Sequence, residues 1–545
     1  MQPTDAPLLP PDRHRRVGTA PRQPMRAVGL AALVALLGAW SGAQAAGNGT
    51  AASGANGLPQ ALRDALHQAN IPEQAVSVLV LPLPSGPGDT APLIAHRVND
   101  SRPVASVMKL FTTGAALLAR GPASTWHTDI GLTGPLDAQG RLHGDVVIRG
   151  GGDPALVTEL ALQMMVRWQA AGLRAIDGDL VLDRSAFELP AHDPAAFDGE
   201  ALKPYNAGPD ALLVNQQAVT LKLLPDAARP QRWRLSLEPA LAQVTVRNLV
   251  RADARAFTPE ACAARDWREG LQVEMAPQPA TTGHVARAHQ GLRPWQLTVR
   301  GELALACGPR DWPLLWQGDG PGDHAARALL ASWQQLGGTL GGQVKSGRWP
   351  DGLAVWQRWT SPPLAQVVRD INKFSNNVMA RQLMLGLALQ DGPDAPVPAP
   401  PVTLDSARST LQTLVTLQTQ DSEGRTVCDA AAWQVDNGSG LSRDERSTAA
   451  CLGRWMQRLW ASPVMPEWLA SLPVVGVDGT ARRWTGPAAG RAHIKTGSLD
   501  GVATMAGVVD GDSGRRWAVV ALGQHPQGAS LRAWYAQLLG WVARQ

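Results

Sequence analysis

The sequence predicts a mixed α/β (α+β) chain in which helices and strands from the two ends flank a β-rich insertion. Three observations carry this. Strand-like apolar runs occur near residue 76 and again near the C-terminus, helical periodicity recurs after residues 106 and 375, and short β-like runs fill residues 126–349.

Taken in order, the N-terminus comes first. "MRAVGLAALVALLGAWSGAQAAG" has a basic start, an apolar run from Val28 to Trp40 and a small-residue cleavage pattern at Ala43-Gln44-Ala45. Residues 1–45 therefore read as a secretory signal peptide, with Met1 or Met25 as initiator. The apolar run is shorter than the roughly twenty residues a spanning helix needs. The expected location is the periplasm, with no integral membrane span after cleavage.

"AVSVLVLPLPSGPGDTAPLIAHR" places apolar runs on both sides of a Ser-Gly-Pro-Gly turn and predicts a hairpin. In "SVMKLFTTGAALLAR" the apolar positions 107, 110, 111, 115 and 118 recur at helical spacing, with Ser106 at the helix start. Segments such as "GDVVIRGGGDPAL" and "PWQLTVRGELALAC", broken by Gly, Pro and Asp, make the middle of the chain an insertion of one or two β-rich domains. "SNNVMARQLMLGLALQ" returns to helical spacing, and the Pro-rich "DGPDAPVPAPPVT" reads as a surface loop. "RAHIKTGSLDGVATMAGVVDGDSGRRWAVVALGQ" reads as three antiparallel strands and "ASLRAWYAQLLGWVARQ" as a closing amphipathic helix.

At 545 residues the chain exceeds what one hydrophobic core supports, so it should be multidomain. A net charge of +4 and no basic stripe interleaved with aromatics argue against a nucleic-acid partner. The spacing of histidines and cysteines matches no metal site, and no cofactor is implied. The four cysteines allow three pairings. Pairing of sequence neighbours, Cys262 with Cys307 and Cys428 with Cys451, is the preferred one, against buried free thiols.

Lysine is scarce: six residues, at 109, 203, 222, 345, 373 and 495, among fifty basic ones. Arginine replaces lysine freely on a solvated surface, but only an amine can lose its proton and act as a base. Two of the six fall in motifs. Ser106-x-x-Lys109, Ser375-x-Asn377 and Lys495-Thr496-Gly497 form, in order, the S-x-x-K, S-x-N and K-T-G set of serine acyl-transferases. Plainer readings exist for each: Ser106 as a helix cap, Lys109 as an exposed helix residue, Asn377 as a cap of its own helix. Lys373 reads as a supporting residue and His493 as an edge histidine.

With these motifs the chain resembles the low-molecular-mass class C penicillin-binding proteins, the D-alanyl-D-alanine carboxypeptidase/endopeptidases. "GGGDPAL", "DGDLVLDRSAF", "DNGSGLSR" and "VVGVDGT" look like further landmarks of that family. The resemblance implies a transpeptidase/β-lactamase-like domain over 46–125 and 350–545, an antiparallel sheet flanked by helices plus a helical subdomain, with 126–349 as accessory domain or domains. It implies Ser106 as nucleophile, Lys109 as base, Ser375 as proton relay, Asn377 on the substrate amide, and Lys495 and Thr496 on the terminal carboxylate. Gly497 leaves room for substrate, and the backbone N–H groups of Ser106 and Ser498 form the oxyanion hole. Asp183 is the candidate for an amine of the stem peptide. The implied partners are peptidoglycan stem peptides, with β-lactam antibiotics as covalent inhibitors. Two alternatives stay open: a β-lactamase, disfavoured by the lack of E-x-x-L-N and Y-x-N segments, and a non-catalytic peptidoglycan-binding scaffold.

Overall fold

Two apolar runs, Val76–Leu83 and Ile94–His96, pair antiparallel, with Val78 opposite His96. Their β-branched residues suit a pleated, buried surface. The computed structural model describes residues 57–545, apart from 84–90, 230–231, 254–257, 259, 261, 263–265, 279–289, 391–399 and 421–422. The predicted signal peptide, the Ser-Gly-Pro-Gly turn and most of the Pro-rich segment lie outside the described residues.

The hairpin is one edge of a five-stranded antiparallel sheet completed by the three C-terminal strands. The order is Ile94–His96, Val76–Leu83, Arg516–Gln524, Val502–Asp510, Ala492–Leu499. The strand that carries Lys495 is thus the opposite edge. On one face the closing helix Gly528–Ala543 and the helix Gln60–Gln68 pack through Trp534, Leu538 and Leu62. On the other face lie Lys109–Arg120, Ala449–Trp460 and their neighbours. Lys109–Arg120 is buried from Lys109 through Leu117, so it is a central helix rather than a one-sided one. Phe111 stacks on Trp433 at 4.8 Å between ring centroids, inside the core shared by sheet and helices. This is the predicted α+β arrangement, an antiparallel sheet flanked by helices with a helical part beside it.

A separate apolar cluster runs from Ile130 to Trp359. It is built on a mixed five-stranded sheet in the order Val344–Ser346, Leu180–Asp183, Val146–Gly150, His127–Leu132, Gln357–Thr360, with three three-stranded sheets beside it. The β-like reading of this stretch missed two helices, Thr158–Ala170 and Asp323–Gln335, which meet through Trp168 and Trp333. Both cysteine pairs of the preferred pairing are disulfides. Among the described residues no helix is long and apolar enough to cross a membrane.

Candidate active site

Ser106 does not begin the helix directly. Ala105 takes a positive φ of 46°, and Ala105–Met108 forms one 3₁₀ turn before the Lys109–Arg120 helix. A non-glycine residue in that region costs energy and persists only where the surroundings hold it. The turn puts Ser106 and Lys109 on one side, with Lys109 Nζ 3.1 Å from Ser106 Oγ. Ser106 makes no capping bond, and Lys109 is fully buried, which removes the plainer readings of both.

Lys109 Nζ also reaches Asn377 Oδ1 at 2.7 Å and the carbonyl oxygen of Ser439. Burial, and then the neighbouring Lys495, hold its pKa well below that of an ordinary lysine. A neutral amine here keeps two protons for Asn377 and Ser439. Its lone pair then faces the Ser106 hydroxyl proton.

Ser375 closes the helix Leu364–Phe374 in the left-handed conformation, with φ 57°. That kink lets Asn376 cap the next helix, Asn377–Leu387, by accepting from Met379 N at 3.0 Å. The cap is therefore Asn376, and Asn377 is freed to face Lys109. Lys495 Nζ donates to Ser375 Oγ and to Thr496 O, each at 2.8 Å. It is fully buried, and burial brings its pKa down to about 7.

Gly497 lies against the nucleophile's turn. A Cβ there would stand 2.9 Å from Ser106 N, so a side chain would press on the amide expected to line an oxyanion hole. By alternation along the strand, Thr496 and Ser498 point away from Lys495 and Gly497. Thr496 is partly buried and Ser498 exposed. His493 hydrogen-bonds to none of these side chains.

Sequence reasoning missed what holds Lys109 from the far side. Glu445, fully buried, accepts backbone N–H groups from Asp436, Asn437 and Gly438 on one oxygen and from Gly440 on the other, at 2.5 to 3.2 Å. It shapes the "DNGSGLSR" loop so that the Ser439 carbonyl meets Lys109. Gly440 is required there: its φ is +82°, and a Cβ would fall 1.9 Å from Ala105 O. The "VVGVDGT" segment is likewise tied in. Lys373 Nζ donates to both Asp478 oxygens at 2.9 and 2.7 Å, and the Thr480 and Thr496 hydroxyls are 2.8 Å apart.

Asp183 is placed otherwise than expected. It is 2% exposed; Oδ1 accepts from Ser185 N and Oδ2 from Trp349 N, so the carboxylate serves a turn of the insertion and is not presented to a ligand.

An antiparallel sheet with a serine, two buried lysines and an asparagine assembled at its edge defines a penicillin-binding type of serine peptidase. Comparison with known proteins agrees. The chain belongs to the D-Ala-D-Ala carboxypeptidase 3 (S13) family, whose match spans residues 58–545. It is 28% identical over 428 residues to a D-alanyl-D-alanine carboxypeptidase of Actinomadura sp. (strain R39), covering 75% of this chain and 71% of that one. It is 22% identical over 460 residues to D-alanyl-D-alanine carboxypeptidase DacB of Haemophilus influenzae, covering 82% and 87%. The fold matches the crystal structure of penicillin binding protein 4 (dacB) from Haemophilus influenzae with a TM-score of 0.67 at 20% identity, over 89% of this chain and 99% of that one.

Proposed function

We propose that this enzyme hydrolyses the peptide bond after a D-alanine in peptidoglycan stem peptides, as a carboxypeptidase, a cross-link endopeptidase or both, through an acyl-enzyme on Ser106. One observation carries the reading: the Ser106 hydroxyl is 3.1 Å from an amine that burial keeps short of its proton. Lys109 takes the hydroxyl proton as Oγ attacks the D-alanyl carbonyl carbon. The developing oxyanion faces the backbone N–H groups of Ser106 and Ser498. The C–N bond then breaks, and the leaving amine receives a proton through Ser375, which Lys495 holds. Water resolves the ester in the second half. Asn377 orients the acyl side, and Lys495 and Thr496 receive the terminal carboxylate.

The reading extends to partners and place. β-Lactams carry a similar amide and carboxylate and would acylate Ser106. The N-terminal signal expected from the sequence would deliver the enzyme to the periplasm, where its substrate lies. Residues 126–349 serve as an accessory domain alongside a peptidase domain formed from 46–125 and 350–545.

The test is intact-mass spectrometry of the protein after benzylpenicillin, beside Ser106→Ala. A stable adduct of one drug molecule, absent from the variant, is expected. Rapid loss of the drug without an adduct would point to a β-lactamase, and an unmodified protein with intact drug to a scaffold.

A further inference from the structure

Ala492–Leu499 is an edge strand, so a peptide laid along it meets side chains from both faces of the strand. The inner pair, Lys495 and Gly497, belongs to the catalytic cluster. The outer pair, Thr496 and Ser498, offers two hydroxyls, and each has a partner from outside the three motifs. Thr480 Oγ1 lies 2.8 Å from Thr496 Oγ1, and Arg532 Nη2 donates to Ser498 Oγ at 2.9 Å.

Arg532 stands in the first turns of the closing helix Gly528–Ala543, exposed to solvent. Among the described residues it forms no ion pair. Its position is unlike that of most arginines in the peptidase core, where carboxylates or carbonyls engage the guanidinium. Here the cation rests on a hydroxyl at the rim of the site, with four of its five N–H donors uncommitted.

From this arrangement we infer that Arg532 is a specificity-determining residue, which selects through Ser498 for substrates bearing a carboxylate on the leaving-group side of the scissile bond. The inference rests on the peptidase reading above and adds to it a residue that none of the motifs contains.

The hydrogen-bond polarity favours it. Ser498 Oγ accepts from Arg532, so its own proton is free to turn outward, and a cation behind a hydroxyl strengthens that hydroxyl as a donor. In the Thr480–Thr496 pair one proton is shared between the two oxygens, and the accepting hydroxyl likewise keeps a free proton. With Thr480 as the donor of that pair, Thr496 and Ser498 present two hydroxyl donors two residues apart on one strand, with a charge beside them, an arrangement that suits the two oxygens of a carboxylate. Lys495 alone supplies less. Two of its three donors are spent on Ser375 and Thr496 O, and burial leaves it losing its charge around neutral pH. A guanidinium keeps its charge throughout that range.

The experiment compares an N-acyl-D-alanyl thioester of thioglycolate with the matching carboxamide, in wild type, Arg532→Gln and Arg532→Lys. Wild type should prefer the carboxylate. In Arg532→Gln, KM for the carboxylate should rise roughly tenfold, the loss of one charged hydrogen bond, with kcat and the carboxamide kinetics unchanged. Arg532→Lys should recover most of the preference. Equal loss on both thioesters, or an unchanged preference in Arg532→Gln, overturns the inference. Wild type that cleaves neither thioester sinks the peptidase reading itself, and the inference with it.

Discussion

Lys109 Nζ and Asn377 Oδ1 meet at 2.7 Å although 268 positions separate them in the chain. The bond joins the first turns of two helices, Lys109–Arg120 and Asn377–Leu387, and with Ser439 O it leaves Lys109 only one direction in which to exchange a proton, toward Ser106.

The two buried lysines should give a bell-shaped dependence of kcat/KM on pH. Lys109 acts when neutral, so activity rises with pH as it loses its proton, well below the ordinary lysine range. Lys495 acts when charged, so activity falls above its pKa of about 7. A bound carboxylate favours the charged form, which places the falling limb of kcat at higher pH than that of kcat/KM. Steady-state kinetics on a D-Ala-D-Ala peptide from pH 5 to 10 would check this; a kcat/KM flat between pH 7 and 9 would remove Lys495 from its role.

Glu445 organises the loop that holds Lys109, and its charge also opposes the loss of the Lys109 proton. In Glu445→Gln one backbone N–H must face the new amide NH₂. Stability should fall by about 1–3 kcal/mol in urea unfolding, the cost of a buried donor without an acceptor. Loss of the anion should also lower the Lys109 pKa further, moving the rising limb of kcat/KM to lower pH. A loss of stability with the limb unmoved would leave Glu445 a purely structural residue.

Lys373 and Asp478 hold the "VVGVDGT" segment to the end of the helix that precedes Ser375. Asp478 also accepts from Val474 N at 2.8 Å, and despite partial burial these bonds keep its carboxyl below the usual range. Lys373→Met and Asp478→Asn should each slow acylation by benzylpenicillin, and the double variant should lose little more than either single one. A coupling of about 0.5–3 kcal/mol is expected for residues in one network; strictly additive losses would show that the pair does not act as a unit.

Asp153, in "GGGDPAL", is buried with Oδ1 on Ala155 N and Oδ2 without a partner, and burial raises its pKa to about 7. In the unfolded chain it would titrate near 3.9. Between these values the folded state holds the extra proton, so stability from this group is full at low pH and is lost as pH rises toward 7. Asp153→Asn keeps the Oδ1 acceptor and should raise the melting temperature at pH 8 while changing it little at pH 4. An equal shift at both values would mean that the carboxyl does not titrate in this way.

The three motifs were legible in the sequence because their chemistry lies in residue types: an amine that can lose a proton, a hydroxyl, a glycine where a side chain would block. The partners of those residues were not. The oxygen that fixes Lys109 is a backbone carbonyl, which any residue carries, and the Glu445 that positions it reads in sequence as one acid in a polar turn. "SNN" offered two asparagines, and only the left-handed Ser375 decides that Asn376 caps while Asn377 reaches Lys109. For Asp183 the local motif singled out the residue, but a motif says nothing of what the side chain will face once the chain returns at Trp349. The two helices of the insertion were hidden by the stronger Gly- and Pro-bounded runs around them.

The strands His127–Leu132 and Gln357–Thr360 pair antiparallel, with His127 opposite Thr360. The chain therefore leaves and returns at one place, its two crossings only about 5 Å apart. Along the backbone, everything between is a closed excursion, and closing so short a gap costs little, since loop-closure cost grows slowly with length. The excursion nevertheless packs back on the halves that share the sheet: Arg381 donates to Ala207 O, Gln382 to Asp210 O, and Phe187 lies in their apolar core, so any replacement would have to cover those groups as well as close the neck.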